Sequence, residues 1–202
     1  MTLWIGDKPV VLASQSKSRQ ALLQAAGIAF EAHPADIDER GVQAASGLKD
    51  PAAIAALLAQ SKALDVAAKL TRRIVIGADQ TLALKDRLFS KPAGREQAAA
   101  QIRALAGQTH ELHSAVAVAG NGKLLFEHVS VARMTMRPMS DAMIEKYLDA
   151  AGAAVTTSVG AYQLEGLGVH LFERIEGDHF TILGLPLLPL LQHLRSIGVV
   201  AA

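Results

Sequence analysis

Residues 10–27, VVLASQSKSRQALLQAAG, constrain this chain more than any other stretch, because they read as a strand that runs into a helix through a short serine turn. Val10-Val11-Leu12-Ala13 has the length and apolarity of a buried strand, and it stops at Ser14 and Ser16, where helical periodicity begins. Leu22, Leu23 and Ala26 share one helical face, and Gly27 stands where a left-handed stop is expected. The unpaired N–H groups and the positive dipole end of such a helix point into the serine turn, which suits an anion. Arg19 falls within the first helical turn, where a cation opposes the dipole. Two explanations stand side by side: Arg19 serves a bound phosphate, or it is a solvated surface arginine on a helix capped by Ser16.

A strand–turn–helix opening sets an α/β expectation, and composition agrees. Half of the 202 residues are hydrophobic while aromatics are only 4%, as expected for sheets packed by small-residue helices. This length supports one substantial core, so residues 1–202 are read as one domain. A net charge of +1 with interspersed signs argues against a nucleic-acid surface. Without cysteine there is neither a disulfide frame nor a thiolate metal site, which fits a reducing compartment. MTLWIGDKP lacks the apolar core of a signal peptide, and the longest apolar stretch, residues 183–191, is interrupted by Gly184, Pro186 and Pro189. The expectation is a soluble cytoplasmic protein with no membrane partner.

Further along, residues 28–32 alternate like a half-buried strand, and a loop with Asp36, Asp38 and Glu39 follows. These acids suit a divalent cation or simply a solvated loop. Asp50-Pro51 opens a helix to about Leu70, whose inner side is read as Ile54, Leu57, Leu58, Ser61, Leu64, Asp65 and Ala68, with Lys62 on the flank. Arg73-Ile74-Val75-Ile76-Gly77-Ala78 reads as a central strand ending at Asp79. A carboxylate at the end of a buried strand lies where α/β sheets place ligands, so Asp79 is the most informative acid. A small ribbon turns at Lys85-Asp86 and leads to Lys91, which the following Pro92 biases towards extended backbone.

A helix is expected over residues 95–106, then a long hairpin over 109–136 turning at Gly120-Asn121-Gly122-Lys123, then a helix from Ser140 to Ala151. Residues 169–175 and 180–183 read as strands, and residues 186–197 as a closing helix. The glycine-rich stretch 160–168 has the spacing of neither a dinucleotide fingerprint nor a P-loop. None of the seven histidines lies in H-E-x-x-H, and no G-x-S-x-G exists, so Ser14 and Ser16 are binders rather than nucleophiles.

Taken in order, Leu12-Ala13-Ser14-Gln15-Ser16 through Arg19, Asp38-Glu39, Lys62-Ala63, Gly77-Ala78-Asp79, Lys91-Pro92, Gly107 with His110, Gly160-Ala161-Tyr162 with Gly166, and Gly184-Leu185-Pro186 resemble the Maf family of nucleoside triphosphate pyrophosphatases. That resemblance implies a mixed α/β fold with a long curved sheet flanked by helices and a cleft between two lobes. It also implies hydrolysis of a nucleoside triphosphate, canonical or modified, to monophosphate and pyrophosphate with a divalent metal, Mg or Mn. Asp79 resembles the family's proton acceptor, and Ser14, Arg19, Lys62 and Lys91 its phosphate-binding set, with Glu39 on the metal or water. Where the family usually shows proline and two arginines, this chain has Lys17, Ser18 and Arg19. Gln80 and Glu165 resemble the branch acting on 7-methyl-GTP, so Ser18, Gln80 and Glu165 are the residues expected to bear on substrate choice. A carboxylate can accept hydrogen bonds from the N–H edge of guanine, and a cationic methylated base strengthens the attraction. A nucleotide-binding regulator of cell division or septum formation is the alternative, and a homodimer is an arrangement left open.

Overall fold

The computed structural model describes residues 3–201, and its chain contacts divide into two compact units. The first takes the chain up to Gln80, then Ser114–Ser130, and again from His179 onward; the second takes Thr81–His113 and Val131–Asp178. Seven strands form one mixed sheet: β1 (Val10–Leu12), β2 (Phe30–Ala32), β3 (Ile74–Leu84), β4 (Arg87–Phe89), β5 (Thr109–Gly120), β6 (Lys123–Met136) and β7 (Phe172–Glu176). Their order is β2-β1-β3-β5-β6-β7, with β4 beside β3. Strand β1 runs parallel to both neighbours, whereas β4 and β7 are antiparallel to theirs. The helices are α1 (Lys17–Ala25), α2 (Glu39–Ser46), α3 (Pro51–Lys69), α4 (Arg95–Leu105), α5 (Asp141–Ala151), α6 (His179–Ile182) and α7 (Leu187–Ser196).

In the first unit, strand alternation sorts side chains into two unlike layers. Val10, Leu12, Ile76, Ala78, Val116 and Val118 face α1 and α7, meeting Leu22, Leu23, Leu187, Leu190 and Leu194. Val11, Ala13, Val75, Ala115, Ala117 and Ala119 face α3 and meet Ala55, Ala59, Ala63, Val66 and Ala67. The alanine side lets a helix approach closely. A Cβ added at Gly77 would lie only 2.1 Å from the Ala59 carbonyl oxygen and 2.7 Å from the Ala63 nitrogen, so glycine is the residue this crossing requires.

This packing corrects the expected inner face of α3. The buried stripe is Ile54, Ala55, Leu58, Ala59, Lys62, Ala63, Val66 and Ala67, while Leu57, Ser61, Leu64, Asp65 and Ala68 lie outside it. Leucines mark the core side of a helix when the partner surface is roomy; here the partner is a glycine-bearing strand, and small side chains win the contact. Lys62 is therefore in the middle of the stripe, not on its flank.

Other expectations change too. Strand β3 does not stop at Asp79 but continues to Leu84 and turns at Lys85 (φ +54°) into β4. The parallel pairing with β1 does end at Ile76, so Asp79 still lies just past the end of the neighbouring parallel strand. The acidic loop contains the start of α2, with the Asp38 carboxylate capping the Gly41 N–H at 3.0 Å. Residues 180–183, expected as a strand, lie in and just after α6: four apolar residues do not distinguish a strand from a helical turn. Only the second half of 169–175 is a strand, since Leu167–Leu171 forms 3-10 turns. The hairpin turn at Asn121 and Gly122, the stop at Gly27 and the Ser140 cap on α5 are found as expected.

In the second unit, α4 packs on α5. Its interior holds Leu82, Phe89, Ile102, Leu105, Leu112, Met134, Met136, Ile144 and Leu148. His110 and Tyr162 are bonded within it at 2.8 Å. Burial lowers the His110 imidazole to about 4, so the ring is neutral at ordinary pH.

Candidate active site

Alternation along β3 sends Asp79 to the alanine side and its neighbours Ala78 and Gln80 to the leucine side. On the alanine side, Lys62 of α3 meets Asp79, with Nζ 2.7 Å from Oδ1. The same Nζ lies 2.9 Å from Oε1 of Glu39, the first residue of α2. Asp79 and Lys62 are both buried, whereas the Glu39 side chain is half exposed. Burial pushes the Asp79 carboxyl above the usual carboxylate range, opposed by the charges of Lys62 and Arg19.

On the leucine side, Arg19 is folded inward rather than solvated. Its Nε donates to the Gly184 carbonyl at 2.8 Å, and its Nη1 donates to the Ala78 carbonyl at 2.8 Å and to the Ser14 hydroxyl at 3.1 Å. Burial lowers the Arg19 pKa, countered by Asp79 and Glu39, and an arginine under such pressure remains charged. Ser16 caps α1 by accepting the Arg19 N–H at 3.4 Å, so the serine turn and the arginine are built by the same residues.

Subtracting these bonds from what each group can donate leaves a specific remainder. Ser14 accepts from Arg19 and from the Ser16 N–H, which leaves its own O–H proton. Lys62 uses two of three N–H donors, and Arg19 Nη2 makes no hydrogen bond within the described residues. A hydroxyl, an ammonium and a guanidinium, all fixed by the fold and each with donor capacity to spare, are a set suited to phosphate oxygens.

Two carboxylates that share one ammonium, Asp79 and Glu39, are also hard oxygen donors fit for a small divalent cation. No group of three or more potential ligands is gathered among the described residues. Such a cation would need oxygens from substrate and water to complete its shell, as is common for Mg²⁺ beside phosphates.

A family model described as Maf-like protein matches residues 9–197. The chain belongs to the Maf-like family. This Maf-like chain is 68% identical over its full length, and the full length of the relative, to a protein of Bradyrhizobium diazoefficiens named nucleoside triphosphate pyrophosphatase. It is 64% identical, again over both full lengths, to one of the same name in Rhodopseudomonas palustris strain BisB18. At 51% identity it is similar to a Rhizobium etli protein named 7-methyl-GTP pyrophosphatase, over 95% of this chain and 97% of that one.

Of the residues expected at the site of this Maf-like protein, Ser14, Ser18, Arg19, Glu39, Lys62, Asp79 and Gln80 all belong to the first unit. Ser18 is half-buried on α1. Lys91 and Glu165 belong to the second unit, where both are exposed, Lys91 ahead of Pro92 and Glu165 in the turn before Gly166. Sequence reasoning missed Ser114 and the carbonyls of Ala78 and Gly184, which hold Gln80 and Arg19. Backbone acceptors leave no residue-type signal; the Gly184-Leu185-Pro186 motif was visible, but its task was not.

Proposed function

We propose that this chain is a nucleoside triphosphate pyrophosphatase that cleaves its substrate between the α and β phosphates, with Asp79 as the proton acceptor. A water oxygen bonds to the α phosphorus, its proton passes to the Asp79 carboxylate, and the bridging oxygen leaves with the β and γ phosphates as pyrophosphate. The observation that carries this reading is the buried Asp79 carboxylate, held at 2.7 Å by a buried lysine beside an inward arginine, in a chain of this family. A general base works best when its pKa approaches the operating pH, and burial moves Asp79 in that direction. Ser14, Arg19 and Lys62 meet the charge that grows on the phosphate oxygens, from positions fixed before substrate arrives.

Asp79 and Glu39 would hold a divalent cation, Mg²⁺ or Mn²⁺, which when bound supplies charge neutralisation at the phosphates. On the family resemblance alone, Lys91 is a further phosphate ligand and Ser18 and Glu165 bear on the base. The relative named 7-methyl-GTP pyrophosphatase supports a guanine substrate methylated at N7. A carboxylate at Glu165 suits that base, since it can accept from the guanine N–H edge and attract a cationic ring.

The test is pyrophosphate release from 7-methyl-GTP, GTP, UTP and dTTP, with Mg²⁺, with Mn²⁺ and with a chelator. Equimolar monophosphate and pyrophosphate, lost on chelation, is the expected result. Absence of pyrophosphate from every nucleotide in the panel removes the proposal.

A further inference from the structure

Two segments of the second unit carry the residues expected to meet the nucleotide there: Lys91, ahead of the buried Pro92, and Glu165, in the turn that closes at Gly166. Both side chains are exposed, so their placing depends on what holds the backbone beneath them. Helix α4 of the same unit supplies that hold through Gln97 and Gln101, which stand one turn apart on one side of the helix. The Gln97 Oε1 accepts the Ala93 N–H at 2.9 Å, and the Gln101 Nε2 donates to the Ser90 carbonyl at 2.8 Å. The chain is thus gripped on each side of Lys91-Pro92. The other end of the Gln101 amide faces the glycine-rich stretch, where its Oε1 accepts the buried Gly160 N–H at 3.0 Å.

That stretch needs a clamp. Gly160 and Ala161 are consecutive residues in the left-handed region, at φ +78° and +61°, a conformation that alanine keeps only where its surroundings hold it. Tyr147 donates to the Ala161 carbonyl at 3.1 Å and Ser158 to that of Tyr162 at 2.6 Å, while Gln101 takes the Gly160 N–H. From Tyr162 the chain runs directly into the turn that carries Glu165, closed by the Gly166 N–H on the Gln163 carbonyl at 3.2 Å. We infer that Gln101 is a positioning residue: its amide ties the Lys91 segment to the Glu165 segment, so that the phosphate contact and the base contact of this unit are held at a fixed separation. The bonds also select the residue type. One partner is a carbonyl, which can only accept, and the other an N–H, which can only donate, so glutamine is matched at both ends. A methionine of similar length would leave the buried Gly160 N–H unpaired, and a glutamate would turn an oxygen on the Ser90 carbonyl.

The kinetic arm of the test rests on the pyrophosphatase reading, and the structural arm does not. In the structural arm, NMR backbone order parameters of the nucleotide-free protein put residues 91, 93 and 160–166 near the rigid value of about 0.85. Gln101→Met lowers both segments together to about 0.6 or below, while α5 keeps its order. Gln101→Glu at pH 8 keeps an oxygen for the Gly160 N–H, so it loosens residues 91 and 93 more than 160–166; it serves if Gln101→Met folds poorly. Order unchanged in either variant, loss confined to one segment in Gln101→Met, or equal loss in Gln101→Glu overturns the inference whether or not the protein turns over any nucleotide. In the kinetic arm, Gln101→Met lowers kcat/KM by about tenfold, mostly through KM, because the Asp79 proton acceptor keeps its own partners. The loss shrinks to about threefold or less when the change is introduced into Lys91→Ala or into Glu165→Gln, since one end of the tie then has nothing left to place. A loss that adds fully to either variant overturns the inference while leaving the pyrophosphatase reading intact. Absence of pyrophosphate from the wild-type protein removes that reading and leaves the structural arm to decide.

Discussion

Lys62 and Asp79 form an ion pair of 2.7 Å in which both side chains are about nine-tenths withdrawn from water. Two charges are placed there by the alanine face of α3 pressing on Gly77, one turn of helix and two strand residues from the contact. Function and packing therefore share one cause: the same close approach that requires alanine at positions 59 and 63, opposite Gly77, buries the carboxylate. The cost of desolvating both ions is met by their pairing and by the second carboxylate of Glu39.

Removing one partner exposes that cost. Lys62→Met is expected to lower unfolding free energy by about 3–5 kcal/mol near pH 8, the range for a broken buried pair. Without the ammonium the folded-state pKa of Asp79 rises further, so the folded protein holds its proton more tightly than the unfolded chain does. Stability in this variant is then present at low pH and lost as pH rises through the raised folded value. Urea unfolding of wild type and variant at pH 5 and pH 8 checks this; a deficit equal at both pH values contradicts it.

The crossing itself can be probed without touching a charge. Gly77→Ala places a Cβ 2.1 Å from the Ala59 carbonyl oxygen, so α3 must move off the sheet. A destabilisation of about 3 kcal/mol is expected, at the upper end for overpacking. Turnover should fall more than stability, because Lys62 moves with the helix. Activity at wild-type level in a folded variant would show that the α3 approach does not set the site.

A separate pH dependence belongs to the second unit. The His110 imidazole is lowered to about 4 by burial, against about 6.5 unfolded, so between these values the unfolded chain binds more protons. Stability accordingly falls as pH drops from 6.5 to 4, by about 3 kcal/mol for this group. Comparing unfolding of wild type and His110→Gln across that window checks it: the variant should show the shallower acid loss.

Much of the fold was legible where its signals are local. The strand–serine turn–helix opening, the Asp50-Pro51 start of α3 and the 109–136 hairpin each carry a capping or turn residue with a single structural meaning. The α3 face was not legible, because which stripe is buried depended on a glycine fifteen residues away in the chain from Lys62. Residues 180–183 were misread for a related reason: their helical turn is held by Gln80 and Ser114, and neither can be found from the segment itself. At the site, the types of Ser14, Arg19, Lys62 and Asp79 were readable, but two of the three acceptors that hold Arg19 are backbone carbonyls.

Asp79→Asn separates chemistry from binding. Loss of a general base costs about 10²- to 10⁴-fold in turnover, while removal of a negative charge next to the phosphates keeps or tightens nucleotide affinity. Calorimetric titration with a non-hydrolysable triphosphate, beside initial rates, checks both halves; a protein that only binds nucleotides would show the affinity change without a rate to lose.

Hydrolysis in ¹⁸O-labelled water, with the products weighed by mass spectrometry, tests the central claim most directly. If Asp79 delivers water to the α phosphorus, the label enters the nucleoside monophosphate, pyrophosphate remains unlabelled, and Asp79→Asn yields almost none of either. Label in pyrophosphate, inorganic phosphate as the first product, or an Asp79→Asn rate within about twofold of wild type contradicts it.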